Sequence, residues 1–264
     1  MTTCKCHLCN LIRGNFIEGW FTPVLEAAAH GHHEVVRVLA DKGANLDLTG
    51  KNRFTAAYVA ACQGHHEVLR VLADKGANLD LTDKNRCTPV YMAVQKGYHE
   101  VVRVLADKGA NLDLEDLYGA TPVLITAEEG HHKIVHLLAD KGANLDLSDT
   151  YGATPVYRAA QNGHHEIVRV LADKGANLNL ADKHYRTPLF MAAQEGHHET
   201  VGMLVDKGAD LVLRESDLVL VDRNACINFL NKVIATKEMS RRAAQSLADQ
   251  KLVGDVGRVI GRFL

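Results

Sequence analysis

The residues best equipped for chemistry are histidines, and their spacing is regular. Eleven of the fifteen histidines fall in doublets recurring every 33 residues (His32–His33, His65–His66, His131–His132, His164–His165, His197–His198) or in His99, which follows Tyr98. A ladder of metal sites is the sharp reading. Adjacent residues on a helix point about 100° apart, and equivalent residues on packed helices lie about 8–10 Å apart. Zinc–nitrogen bonds are about 2 Å, so neither pairing can share an ion. The doublets read as helix starts, where a cationic imidazole opposes the helix dipole; acid is therefore expected to destabilise the fold. Cys4, Cys6, His7 and Cys9 offer four further ligands. They crowd into six residues instead of two pairs across a loop, which suits tail thiols better than tetrahedral zinc, with lipid attachment third. Asp-Lys-Gly-Ala recurs at Asp41, Asp74, Asp107, Asp140, Asp173 and Asp206. Six equivalent copies point to solvated helix-end charges. No nucleophile–base pair and no phosphate-cradling glycine loop stands out. The sequence predicts neither catalysis, cofactor nor metal.

The elements that carry these residues follow from one stretch, GHHEVVRVLADKGANLDL at 31–48, which returns with small edits at 64, 97, 130, 163 and 196. A fixed period of 33 predicts stacked units that bury their apolar faces on each other. The fifth copy shows the logic. Asp149, Tyr151 and Gly152 form a turn; Thr154 caps a helix with Pro155 at its first position; Gly163 stops it. A second helix opens on His164, His165 and Glu166, buries Ile167, Val168, Val170 and Leu171, and ends at Gly175. Small Ala159 and Ala160 allow close approach of the two helices. Leu178 and Leu180 alternate with Asn177 and Asn179 along an extended arm. Six units are expected, 17–49, 50–82, 83–115, 116–148, 149–181 and 182–214. A tail (1–16) precedes them, and a helical cap or extension (215–264) follows. Trp20 and Phe21 are expected to plug the open end of the first unit.

Thr-Pro-Val at 22, 88, 121 and 154 and Thr-Pro-Leu at 187 begin units that resemble ankyrin repeats. The resemblance continues through Ala-Ala, Gly-His, Val-Val-x-x-Leu and Lys-Gly-Ala, and it covers the chain from 17 to 214. It implies an all-α repeat fold, an α-solenoid of helix-turn-helix units with β-hairpin-like turns. The family's Thr-Pro-Leu-His is not kept: the His slot holds Leu25, Tyr58, Tyr91, Leu124, Tyr157 and Phe190, and the second unit reads Thr55-Ala56-Ala57. The bonds that His makes around its turn must be absent or replaced.

The resemblance also implies a non-catalytic module for protein–protein interaction, with turn tips and first helices lining a concave face. Columns where the copies differ are the candidates for partner contact. They comprise Lys84, Asn85, Tyr118, Tyr151 and Tyr185 at the tips, with Met92, Ile125, Arg158 and Met191 along the first helix. Glu128, Glu129, Gln161 and Asn162 stand near its end. Aromatics and Arg lead such lists because they dominate interface energetics, and Arg158 suits a partner carboxylate. Formal net charge of −2 argues against a general nucleic-acid or membrane-surface role, and no apolar run is long enough to span a membrane. Dispersed cysteines without an extracellular framework and no secretory leader suggest an intracellular chain, cytoplasmic or nuclear, and monomeric. Alternatively, the mildly basic helical patterns in 222–264 carry the binding activity and the repeats act as a spacer.

Overall fold

The computed structural model describes residues 22–210 of the 264-residue chain. The tail thiols, Trp20, Phe21 and the C-terminal helical patterns lie outside the described residues. Twelve α-helices in six pairs make up the described part, and no strand occurs among the described residues. The first pair is α1 (Pro23–Ala29) and α2 (His33–Asp41), followed by α3 (Ala56–Gln63) and α4 (His66–Asp74), then α5 (Pro89–Gln95) and α6 (His99–Asp107). After these come α7 (Pro122–Glu129) and α8 (His132–Asp140), α9 (Pro155–Gln161) and α10 (His165–Asp173), and α11 (Pro188–Gln194) and α12 (His198–Asp206).

Each first helix starts where a threonine caps it. Thr88 Oγ1 accepts the Tyr91 N–H at 3.1 Å and Thr154 Oγ1 that of Tyr157 at 3.2 Å, with proline next, where no N–H is missed. Ala56 replaces proline in α3, yet Thr55 still caps it, accepting the Tyr58 N–H at 3.1 Å. The stop is a glycine with positive φ, such as Gly64 at +83°, a conformation closed to most L-residues. Second helices are one-sided: α4 buries Val68, Leu69, Val71 and Leu72, and α10 the matching Ile167, Val168, Val170 and Leu171. First helices have no solvent stripe of that width. All residues of α3 from Ala56 to Cys62 are buried, because neighbours enclose it on both sides.

The chain divides into two compact units, 1–125 with 140–143 and 126–139 with 144–264. Within the first, α1, α3 and α5 pack in series, α2, α4 and α6 run alongside, and each first helix packs on its own second helix. A continuous core of Leu25, Tyr58, Val59, Cys62, Tyr91, Met92 and Leu124 threads it. Within the second, α9 packs on α11 and α10 on α12. Burying each such Leu, Val or Met contributes about 1.5–3 kcal/mol.

The constant stretch is constant because it joins one repeat to the next. In the arm, Asn78 Oδ1 accepts the Asp80 N–H at 2.9 Å, and Asp80 Oδ1 accepts the N–H of Asn111, 31 residues on, at 2.9 Å. Asn144, Asp146 and Asn177 repeat this in the second unit, at 3.0 and 2.8 Å. The Asp and Lys of Asp-Lys-Gly-Ala pair between repeats. Lys75 Nζ meets Asp41 at 2.6 Å, Lys108 meets Asp74 at 2.6 Å, Lys141 meets Asp107 at 2.7 Å and Lys207 meets Asp173 at 2.5 Å. These charges are exposed, as the sequence suggested, but they form a ladder and not isolated helix ends.

Candidate functional site

The tips between the repeats are built on a buried aspartate. Asp83 Oδ1 accepts the N–H groups of Asn85 and Cys87 at 2.8 and 2.9 Å, and its own N–H donates to the Cys87 carbonyl at 3.1 Å. Asp116, Asp149 and Asp182 hold their tips in the same way. This is the side-chain-mimicked turn that favours aspartate. Two backbone bonds close each hairpin-like tip, at Asp83 its N–H to the Cys87 carbonyl at 3.1 Å and the Arg86 N–H to the Asp83 carbonyl at 3.2 Å, too few for a strand ladder.

All four aspartates are at most 7% exposed, and a buried carboxylate needs partners. The second oxygen finds one on the preceding repeat. Tyr58 Oη donates to Asp83 Oδ2 at 3.3 Å, Tyr91 to Asp116 at 3.0 Å and Tyr157 to Asp182 at 2.9 Å. The tyrosine in the slot of the family's histidine therefore replaces its local bonds with one between repeats. Leu124 fills that slot ahead of Asp149, and there Arg158 supplies the partner from within the same repeat, donating through Nη2 to Oδ2. In the first repeat Leu25 is followed 25 residues later by Gly50, so no carboxylate is left to satisfy. Burial raises the Asp182 carboxyl. The Arg186 side chain and N–H and the Tyr157 hydroxyl outweigh it, holding the group below the usual carboxylate value. Burial, then the Asp182 bond, push the Tyr157 hydroxyl far above its ordinary range.

The histidine doublets divide their roles. The first stands at the N-cap position of the second helix without a side-chain bond to it, and in three doublets its ring reaches back to the preceding repeat. Nε2 of His65, His164 and His197 donates to the carbonyls of Ala29, Glu128 and Gln161 at 3.2, 3.1 and 3.0 Å. The acceptors lie in the last turns of the preceding first helices, so each ring ties one repeat to the next. The second histidine sits at the first helical position, beside a glutamate in every doublet but His131–His132, as His66 does with Glu67 at 3.4 Å. Among the described residues no group of three potential ligands could hold a metal.

With the framework polar groups engaged, the variable columns separate into two sets. Tyr118 is 57% exposed, Tyr151 62% and Tyr185 44%, and Lys84, Glu128, Glu129 and Asn162 are exposed as well. Neighbouring tips are tied together: the Leu117 N–H donates to the Asn85 carbonyl at 3.2 Å and the Lys183 N–H to the Tyr151 carbonyl at 2.9 Å. Asn85 is half-buried and holds Asp83 through its side chain at 3.4 Å. Gln161 accepts from Arg158 at 3.1 Å.

The apolar helix column is different. Met92 and Met191 are 0% and 1% exposed; they are core residues and offer no surface. Ile125 is half-buried against the same core. Arg158 has its carboxylate inside the protein, on Asp149, and is not open to a partner's acid. Sequence reasoning passed over Arg53 and Arg86, both exposed at tips with positive φ, +65° and +63°. The available signal was their register with Gly119 and Gly152.

Comparison with known proteins places this geometry. A family profile described as Ankyrin repeats (3 copies) matches residues 3–83, 76–149 and 141–215. An ankyrin repeat domain from Acinetobacter baumannii AYE is similar in structure, with TM-score 0.67 and 29% identity, covering 71% of this chain and 98% of its own. The ankyrin repeat domain of Bcl-3, described as a unique member of the IkappaB protein family, gives TM-score 0.71 at 25% identity, covering 80% and 98%. The human ASB11 ankyrin repeat domain gives 0.65 at 26%, covering 82% and 98%. No curated protein sequence matches significantly.

Proposed function

Because the chain belongs to the ankyrin repeat family, whose domains are generally protein–protein interaction modules, we propose that it acts by binding a protein partner through its turn tips and the exposed ends of its first helices. One observation carries the reading. The columns constant between repeats spend their polar atoms on neighbouring repeats, whereas the variable tips project large side chains into solvent, Tyr118 at 57% and Tyr151 at 62% exposure. Tyrosine offers apolar area, a polar end and few rotors to immobilise, the combination favoured at recognition surfaces. Aspartate anchors and tip-to-tip bonds hold these side chains' backbones in place beforehand, so little ordering entropy is lost on association. Of the residues read from the sequence, Tyr118, Tyr151, Tyr185, Lys84, Glu128, Glu129 and Asn162 stay in the proposed surface.

The test is affinity capture with the wild type, a Tyr118→Ala, Tyr151→Ala, Tyr185→Ala variant, and a chain lacking 215–264. Specific partners are expected to be lost by the triple variant at unchanged melting temperature and kept by the truncated chain. Equal recovery by the triple variant and the wild type would remove the tips from consideration. Loss by the truncated chain alone would move the activity to 215–264.

A further inference from the structure

We propose that the tips of the first unit take an acidic polypeptide segment that also carries apolar side chains; the inference rests on the recognition reading above and names the chemistry of its partner. Three exposed cations, Arg53, Lys84 and Arg86, project from its tips. The next tip presents Leu117 at 53% exposure and Tyr118 at 57%. The Leu117 N–H bond to the Asn85 carbonyl sets these tips side by side. The patch is thus a row of positive charge ending on an apolar step.

Its carboxylates are buried while its cations are exposed. Asp83 and Asp116 are buried, 4% and 7% exposed, and their oxygens are occupied by tip N–H groups and by the hydroxyls of Tyr58 and Tyr91. The nearest other carboxylate in sequence, Glu115, is half-buried one position before the third tip. A ligand approaching these tips meets three exposed cations, of which the two carboxylates buried beneath offset only part.

Backbone conformation gives an independent sign. Among the described residues, the non-glycine residues with positive φ are Asn52, Arg53, Arg86 and Tyr185, and all four stand at tips. The slot of Arg86 is filled by Gly119 and Gly152 in the following repeats, at +75° and +82°. Glycine is therefore compatible with the turn, and the long cationic side chain is held in a left-handed backbone that resists it. Strain of this kind marks a position kept for what its side chain does.

The experiment uses the purified full chain and three fluorescein-labelled probes read by anisotropy. One is a twelve-residue peptide alternating Glu and Asp with Leu and Phe; the second has Lys for every acid; the third is a twelve-nucleotide thymidine oligomer. The acidic peptide should bind, and more weakly at 300 mM than at 50 mM NaCl. Lys84→Glu and Arg86→Gly should each weaken it about fivefold or more, and Tyr118→Ala should weaken it without changing the salt dependence. Lys133→Glu, an exposed change away from the tips, should do nothing. Arg86→Gly should also melt no lower than the wild type, which separates lost recognition from lost structure. Tighter binding of the lysine peptide, still lost on Tyr118→Ala, overturns the acidic partner and leaves the tip surface standing. Tighter binding of the oligonucleotide overturns a polypeptide ligand. No peptide binding, or binding indifferent to every tip variant, overturns this inference, while the recognition surface stands or falls separately on partner capture by the Tyr118→Ala, Tyr151→Ala, Tyr185→Ala variant.

Discussion

Replacing Tyr91 by phenylalanine removes one oxygen from the core and should cost more than the same change at Tyr157. In both cases a hydroxyl leaves a buried aspartate, at 3.0 Å from Asp116 and 2.9 Å from Asp182. A hydrogen bond to a charged acceptor contributes about 1.5–3 kcal/mol, and a buried group left bare bears its desolvation as well. Asp116 then keeps its two N–H donors on Oδ1, at 2.8 and 2.9 Å, while Oδ2 loses the hydroxyl. Tyr91→Phe is therefore expected to destabilise by about 2 kcal/mol. Asp182 Oδ2 retains Arg186, whose Nε and Nη2 stand at 2.8 and 2.6 Å. Tyr157→Phe should cost about 1 kcal/mol or less, and the penalty should appear once Arg186→Ala is added, so the double variant exceeds the sum of the singles. Urea unfolding followed by far-ultraviolet circular dichroism measures all four proteins. Equal costs at the two tyrosines, or strict additivity with Arg186→Ala, would refute the claim that a neighbour's hydroxyl is what satisfies the turn aspartate.

Other expectations follow from the same contacts. Gly163→Ala should lower the melting temperature more than Gly175→Ala: both have positive φ, but a Cβ at 163 would lie 2.6 Å from the His197 ring, whereas at 175 it meets nothing within 4 Å. Asp74, Asp107 and Asp173 are held below the ordinary carboxylate value first by their bonds to Lys108, Lys141 and Lys207. Their contribution is present above the unfolded value, near 3.8, and is lost as pH falls through the lower folded values. Melting temperature should thus drop from pH 5 to pH 2.5, less steeply in Lys108→Met or in high salt; an identical slope in the variant would count against the ladder. Met92→Ala should cost about 2–5 kcal/mol, while Tyr118→Ala changes stability by no more than about 0.5 kcal/mol, a contrast that denaturant titration resolves directly.

What was legible in the sequence is what local chemistry decides. Thr154 before Pro155, Gly163 shortly after Ala159 and Ala160, and the one-sided set from Ile167 to Leu171 each fix a helix boundary or face within a few residues. What was not legible depends on a partner beyond the local turn or helix, 9 residues away for Asp149 and Arg158 and 25 to 36 for the bonds between repeats. Asp149 reads as an ordinary turn residue until a hydroxyl or guanidinium is found for its buried second oxygen. Arg158 among apolar residues looks exposed, but it folds back to that oxygen. Met92 and Met191 vary between copies like surface residues, yet they are 0% and 1% exposed, so what varies there is a side chain the core must accommodate. The signal for the tyrosines was present: Tyr58, Tyr91 and Tyr157 stand 25 residues before Asp83, Asp116 and Asp182.

The bonds of the arm and of the turn share a property that concerns inheritance more than stability. Those that cross between repeats join fixed positions of neighbouring repeats, as Tyr91 joins Asp116 and Asp80 joins Asn111, so a whole repeat can be duplicated or excised and the flanking halves still meet compatible partners. The exception is the fifth repeat, which answers Asp149 with its own Arg158. A repeat that closes its turn unaided tolerates any predecessor, tyrosine-bearing or not, and such a cassette is the one most freely moved along a growing array.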